Sequence, residues 1–131
     1  MLAHLSNLLV AANLGIMLFF TIAVAPTIFT VLPQAWASVY VRSFFPKYYL
    51  FLGLTTAGAA ALAAAPLMQL SLAGCALVFF LSRSWITPRV NRARDNSQTR
   101  IFQQLHALSV TLNLLQLGVF VWVLVKTLGA A

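Results

Sequence analysis

Apolar residues dominate four long stretches of this chain, and polar residues collect in the gaps between them. Residues 3–25, 48–64, 67–86 and 101–128 each read as a membrane-crossing helix, because about 20 apolar residues cover roughly 30 Å of hydrocarbon. Between the first two, Trp36, Val39, Tyr40 and Phe44 recur at helical spacing, with Gln34, Ser38 and Arg42 among them. That pattern predicts a short helix lying in the interface, its aromatic face toward lipid. Phe44 through Tyr49 then marks the membrane border, where rings with polar tips are favoured. Pro26 is expected to kink or end the first span by removing a backbone donor. Pro46 suits the first turn of the second span, and Pro66 turns the chain into the third. A polar loop is expected over Thr87–Thr99. The predicted fold class is therefore an all-α integral membrane protein. Its architecture is an antiparallel four-helix transmembrane bundle, a single domain over residues 1–131, with a short interfacial helix between spans one and two.

Composition agrees with the pattern. Hydrophobic residues make up 62% of the chain and charged residues 7%, against about 25% charged in soluble domains. The net charge of +7 would suggest nucleic acid in a soluble protein. Here no nucleic-acid partner is expected, because the basic residues lie at helix ends. The first and third gaps and their borders hold Arg42, Lys47, Arg83, Arg89, Arg92, Arg94 and Arg100, and the opposite side holds Lys126 alone. Seven against one predicts a multi-pass protein of the cell inner (plasma) membrane with both termini extracytoplasmic. The bilayer and anionic lipid head groups on the cytoplasmic side are then its expected partners. Ala23-Val24-Ala25 resembles a signal-peptide cleavage site. No Lys or Arg precedes the run and Pro26 follows it, so the segment reads as a retained span.

Candidate chemistry is sparse. In the last span Gln103, His106, Ser109, Asn113 and Gln116 are three or four residues apart, which places them on one helix face. A polar stripe inside a span is expected to face other helices, either gluing them together or lining a binding surface. His106 is expected near the third gap, in hydrogen-bond reach of that loop or of its own stripe. Asn13, Thr55, Thr56 and Cys75 fall near the depth of Asn113, as a small polar pocket or as mutually satisfied pairs. In the third gap Asn91, Arg94 and Asp95 complete the ligand-binding candidates, with Asp95, the one acid of the chain, expected to pair with an arginine. His4 and His106 are separated by most of the bilayer, and Glu is absent. No metal site, cofactor or catalytic residue is assigned, since metal cages assemble His, Cys or carboxylate ligands. Gly53, Ala57, Ala61 and Ala65 form a small-residue stripe that is expected to meet another helix closely.

Two motif groups carry a family resemblance. The first is Pro26-x-x-Phe29-x-x-Leu32 followed by Phe45-Pro46-x-Tyr48-Tyr49. The second is Pro88-x-x-Asn91-x-x-Arg94-Asp95 followed by Phe102-x-x-Leu105-His106-x-x-Ser109-x-x-x-Asn113. Together they resemble the transmembrane-protein-205-like family over nearly the whole chain. The resemblance implies a four-helix membrane protein. It links eukaryotic members to drug resistance and implies no defined activity for the bacterial ones, which are labelled a domain of unknown function. The first helix, with its early His4, is also similar to copper-resistance membrane proteins and porphyrin oxidases. The leading expectation is a non-enzymatic protein that binds or moves a small amphipathic or cationic molecule. The alternatives are a haem- or redox-associated enzyme component, and a homo-oligomer or accessory subunit of a larger membrane complex.

Overall fold

The computed structural model describes residues 1–129, which are helical apart from short links. Four long helices follow one another: α1 Leu2–Val31, α2 Gln34–Leu62, α3 Pro66–Asp95 and α4 Thr99–Gly129. Among the described residues there is no strand. Helices α1, α3 and α4 are long and apolar enough to cross a membrane. The apolar part of α2, from Tyr48 to Leu62, is shorter, about 22 Å at 1.5 Å per residue. The outer surface is apolar: Leu8, Phe19, Ile22, Phe51, Leu70 and Leu77 are all well exposed. A soluble monomer rarely shows contiguous apolar surface on that scale. The chain has the build of a multi-pass membrane protein.

Three expected boundaries are corrected. Of the two outcomes expected at Pro26, a kink or an end, the helix does not end there. Helix α1 runs on to Val31 by widening one turn over Phe20–Val24, where the Ala25 amide donates to the Phe20 carbonyl five residues back. The wider turn makes room for the proline ring, which otherwise strikes the carbonyl four residues earlier. The Thr27 and Thr30 hydroxyls cover the carbonyls of Ala23 and Pro26 at 2.6 and 2.9 Å. Helix α3 repeats the device before Pro88. Its turn over Ser82–Ile86 widens, and both the amide and the hydroxyl of Thr87 donate to the Ser82 carbonyl. The expected polar loop therefore shrinks to Asn96–Gln98.

The third correction removes the separate interfacial helix. Gln34 opens a single helix that passes through Pro46 to Leu62. Ala37, Val41, Tyr48 and Leu52 are buried along it, so one apolar face continues across the proline and nothing breaks the helix there.

Helix α3 ends in a Schellman turn. Ser97 takes φ 56°, its amide donates to the Arg94 carbonyl, and the Gln98 amide donates to the Ala93 carbonyl. Glycine is the usual residue at that left-handed position.

Helix α1 packs on α2, α2 on α3, and α3 on α4. Helix α4 returns to α1 only through Leu2–Phe19. Below that point α1 and α4 part. An aromatic cluster fills the centre: Phe20 stacks on Phe44 with centroids 5.1 Å apart, and contacts continue through Tyr48 and Tyr49 to Phe79 and Phe120.

The small-residue stripe is only partly where it was expected. Gly53 is buried, but Ala57, Ala61 and Ala65 are exposed. The side of α2 that meets other helices carries Leu52, Gly53, Thr56, Ala59 and Ala60. A Cβ on Gly53 would stand 2.8 Å from the Phe80 ring. Gly53→Leu is therefore expected to lower the thermal stability of the detergent-purified protein by about 1–3 kcal/mol, as overpacking does. Ala61→Leu is expected to stay within about 0.5 kcal/mol of wild type, as surface changes do. Thermal melts of the two variants side by side check both.

Candidate functional site

Hydrocarbon offers no water to polar groups, so each must find a partner in the protein. Most do. The Ser6 hydroxyl donates to the Ala59 carbonyl at 2.7 Å. The Asn13 amide donates to the Thr56 hydroxyl at 3.0 Å and accepts from Thr55 at 3.1 Å. The Gln116 amide donates to the Cys75 carbonyl at 3.0 Å. The Tyr49 and Ser109 hydroxyls meet at 3.1 Å. Each such bond contributes on the order of 0.6 kcal/mol between membrane helices, and together they fix the register of α1, α3 and α4 against their neighbours.

Among the described residues one buried side-chain oxygen, Asn113 Oδ1, has no partner, and it borders an opening. Where α1 and α4 part, a crevice of about 300 Å³ opens between them. Its α1 wall is Phe20, Thr21, Ala25 and Phe29, starting in the widened turn. Its α4 wall is His106, Ser109, Val110, Asn113 and Leu114. The floor is Val41, Phe45 and Tyr49 of α2, with Ile86, Asn91 and Arg94 of α3. Phe29, Val110 and Leu114 at the mouth are exposed, so the crevice opens sideways, toward what would be lipid. The Oδ1 of Asn113 is buried there with no hydrogen-bond partner. His106 lies nearly parallel to Phe102, at 5.9 Å, and makes no hydrogen bond among the described residues. His106 is exposed at the edge of the crevice rather than enclosed by other helices, and the hydrogen bond expected for it is not formed, its ring lying against Phe102 instead.

At the basic end the crevice meets a second space of about 650 Å³. Phe29 and Arg94 line both. Gln34 and Ser38 at the start of α2, with Ser97 and Thr99 around the last turn, complete this vestibule. The Arg94 guanidinium lies over the Phe102 ring, 4.8 Å from its centroid. Asp95 points elsewhere. Arg42 donates to both of its carboxylate oxygens and to the Asn91 carbonyl at 3.3 Å, tying the lower ends of α2 and α3. At the same end the Arg83 Nε donates to the Pro46 carbonyl at 3.1 Å.

The structure thus brings together five of the eight sequence candidates: His106, Ser109, Asn113, Asn91 and Arg94 line the crevice. Asn13 and Gln116 do not. They are 1% and 4% exposed and spend their amides on other helices. Asp95 lies outside too, spent on Arg42. Sequence reasoning did not select Arg42, Tyr49, Phe102, Gln34, Ser38, Ser97 or Thr99. The spacing of four between Phe102 and His106 was a signal for their stacking; the others depend on how separate helices meet. Among the described residues no cluster of three His, Cys, Asp or Glu side chains is placed to hold a metal ion.

A family model described as a domain of unknown function (DUF4149) matches residues 8–99. The match spans α1 to α3 and stops at the first residue of α4, short of His106, Ser109 and Asn113. No curated protein and no solved structure matches the chain.

The two asparagines should respond oppositely to loss of polarity. Asn13→Leu strands the buried Thr56 hydroxyl, while Thr55 keeps its bond to the Phe51 carbonyl, and should lower stability by about 1–3 kcal/mol. Asn113→Leu removes an unpaired acceptor and should be neutral or stabilising, since a buried unmet group itself costs about 1–3 kcal/mol. Melts of the purified variants in the same detergent read the difference.

Proposed function

The chain belongs to the family described as a domain of unknown function (DUF4149), which assigns no activity, and we propose from the crevice itself that the protein binds a small amphipathic molecule entering sideways from the inner leaflet. The observation that carries this reading is the buried, unpaired Asn113 Oδ1 facing a laterally open crevice. The lining is graded. Phe20, Val110 and Leu114 lie toward the hydrocarbon, and Asn91, Arg94 and His106 toward the basic end. From Leu114 to Phe102 the α4 wall spans about 18 Å, the scale of a short chain with its head. A hydroxyl or amine on such a molecule would meet the Asn113 acceptor. A cationic molecule fits less well, because Arg94 and no carboxylate lines the space among the described residues.

In this reading all four helices cross the membrane as an antiparallel bundle, α2 by its Tyr48–Leu62 half. At about 45 Å, each helix of 29 to 31 residues is longer than the roughly 30 Å of hydrocarbon. The surplus lies at the end that carries Arg42, Lys47, Arg83, Arg89, Arg92 and Arg94, so the crevice straddles the border between hydrocarbon and head groups. The charge bias places that end in the cytoplasm and both termini outside. Ala131 itself lies outside the described residues. The motifs of α3 and α4 support a relation to the transmembrane-protein-205-like proteins, and His106 and Ser109 of their Leu105-His106-x-x-Ser109 element line the crevice.

Native mass spectrometry of the purified protein tests the binding. Wild type should carry a co-purifying amphipath. Ala25→Trp and Thr21→Trp, whose indoles fill the crevice, should lose it while melting as cooperatively as wild type. Retention of the same molecule at the same occupancy in both variants would contradict the reading. Separately, a reporter fused after Ala131 should be active on the outer face. Activity confined to the cytoplasm would invert the orientation.

A further inference from the structure

We propose that the vestibule at the basic end is a phosphate site, with Arg94 as its central ligand and the phosphate supplied by the head group of a lipid-like molecule. The inference rests on the crevice reading for where the tail lies, and on separate observations for the head.

The first is charge without a counter-charge. Arg94 lines the vestibule, half-buried over Phe102, and among the described residues it forms no ion pair. Asp95, the chain's one carboxylate, is engaged by Arg42 through both oxygens. The protein therefore holds a partly sheltered guanidinium with no ion pair of its own, the nearby Asp95 charge being taken up by Arg42. A guanidinium presents a planar fork of donors that fits a phosphate in two-pronged fashion.

The second is a set of unspent donors. The side chains of Gln34, Ser38, Ser97 and Thr99 face the same space, and none donates a hydrogen bond among the described residues. Two helices also begin at this wall. The first amide of α2 with a backbone partner is Ala37, bonded to Pro33, and at the start of α4 Phe102 bonds to Gln98. The amides of Gln34 to Trp36 and Thr99 to Ile101 precede those bonds. No side chain caps α2. Two helix starts add positive potential where Arg94 already lies, and no carboxylate lines the space to oppose it.

The third is continuity. Phe29 and Arg94 belong to both spaces, so a head on Arg94 leaves its tail directed into the crevice. That arrangement favours a lipid head over free phosphate.

The test uses the full chain in nanodiscs of phosphatidylcholine containing a minor share of phosphatidylglycerol, with retained lipid read by native mass spectrometry. Wild type should retain phosphatidylglycerol selectively. Arg94→Gln should reduce that selectivity about tenfold or more, the effect of losing a charge-assisted pair. Ser38→Glu leaves Arg94 in place and sets a carboxylate against the head, so it should do the same. Arg92→Gln, exposed on the same helix and outside the vestibule, should match wild type, and Arg94→Lys should keep part of the selectivity. Inorganic phosphate separates the sources. If millimolar phosphate raises the melting temperature above the chloride control and displaces the lipid, free phosphate also uses the site; if it does neither while phosphatidylglycerol is retained, the ligand is a lipid head. Equal retention of both lipids with no response to phosphate overturns the proposal. So does an Arg94→Gln protein that is as selective as wild type. The two proposals fail separately: loss of the amphipath in Ala25→Trp with no effect of Arg94→Gln removes the phosphate site alone. An Arg94 effect that persists when Ala25→Trp retains its lipid removes the crevice alone.

Discussion

Hydrogen bonding without water is the constraint on which this structure depends. Burying apolar surface drives little association between helices in lipid, where the surroundings are as apolar as the side chains. Close packing and polar pairs must do it. Asn13 with Thr55 and Thr56, Gln116 with the Cys75 carbonyl, Ser6 with the Ala59 carbonyl, and Tyr49 with Ser109 each join two helices at one depth. Against that background an unmet group is informative. Asn113 Oδ1 has no partner, His106 has none among the described residues, and Arg94 has no anion. All three border one opening, and that coincidence supports the proposal that it is a binding site, with Asn113 Oδ1 the buried unmet atom among them.

The prolines shape the same opening. A proline inside a helix forfeits a backbone bond, and in lipid the forfeited group must be met nearby. Helices α1 and α3 answer alike, with a widened turn ending just before Ala25-Pro26 and Thr87-Pro88 and with threonine hydroxyls on carbonyls nearby, those of Ala23 and Ser82. Both widened turns contribute to the crevice wall, through Phe20 and Thr21 on one side and Ile86 on the other. Such turns are common at functional sites because they displace a helix without ending it. Here the displacement coincides with the level at which α1 leaves α4.

Much of this was legible in the sequence, and the remainder was not for identifiable reasons. The helical class, the break near Pro66 and the gathering of basic residues at one end follow from hydropathy and residue type. The polar face of α4 follows from spacing alone. What spacing does not contain is the register of the partner helix. That register decides that Gln116 is a brace, Ser109 a latch to Tyr49, and Asn113 an open acceptor. The stripe from Gly53 to Ala65 shows the same limit: its spacing is correct for a seam, yet Thr56, Ala59 and Ala60 turn inward while Ala57 and Ala61 face out. Pro26, Pro46 and Pro88 were legible as lost donors. Their passage through unbroken helices goes with the widened turns before Pro26 and Pro88 and with the apolar face that runs on across Pro46, which no single position announces.

The account's central claim is that the crevice between α1 and α4 holds one defined amphipath rather than bulk lipid. Photo-crosslinking in native membranes measures this most directly. A benzophenone amino acid at Val110, on the crevice wall, is compared with one at Leu81, exposed on the outer side of α3. The account predicts a single dominant adduct at Val110 that is absent from the Leu81 profile, with a mass that includes a phosphate-bearing head. The same mixture of lipids at both positions would contradict it.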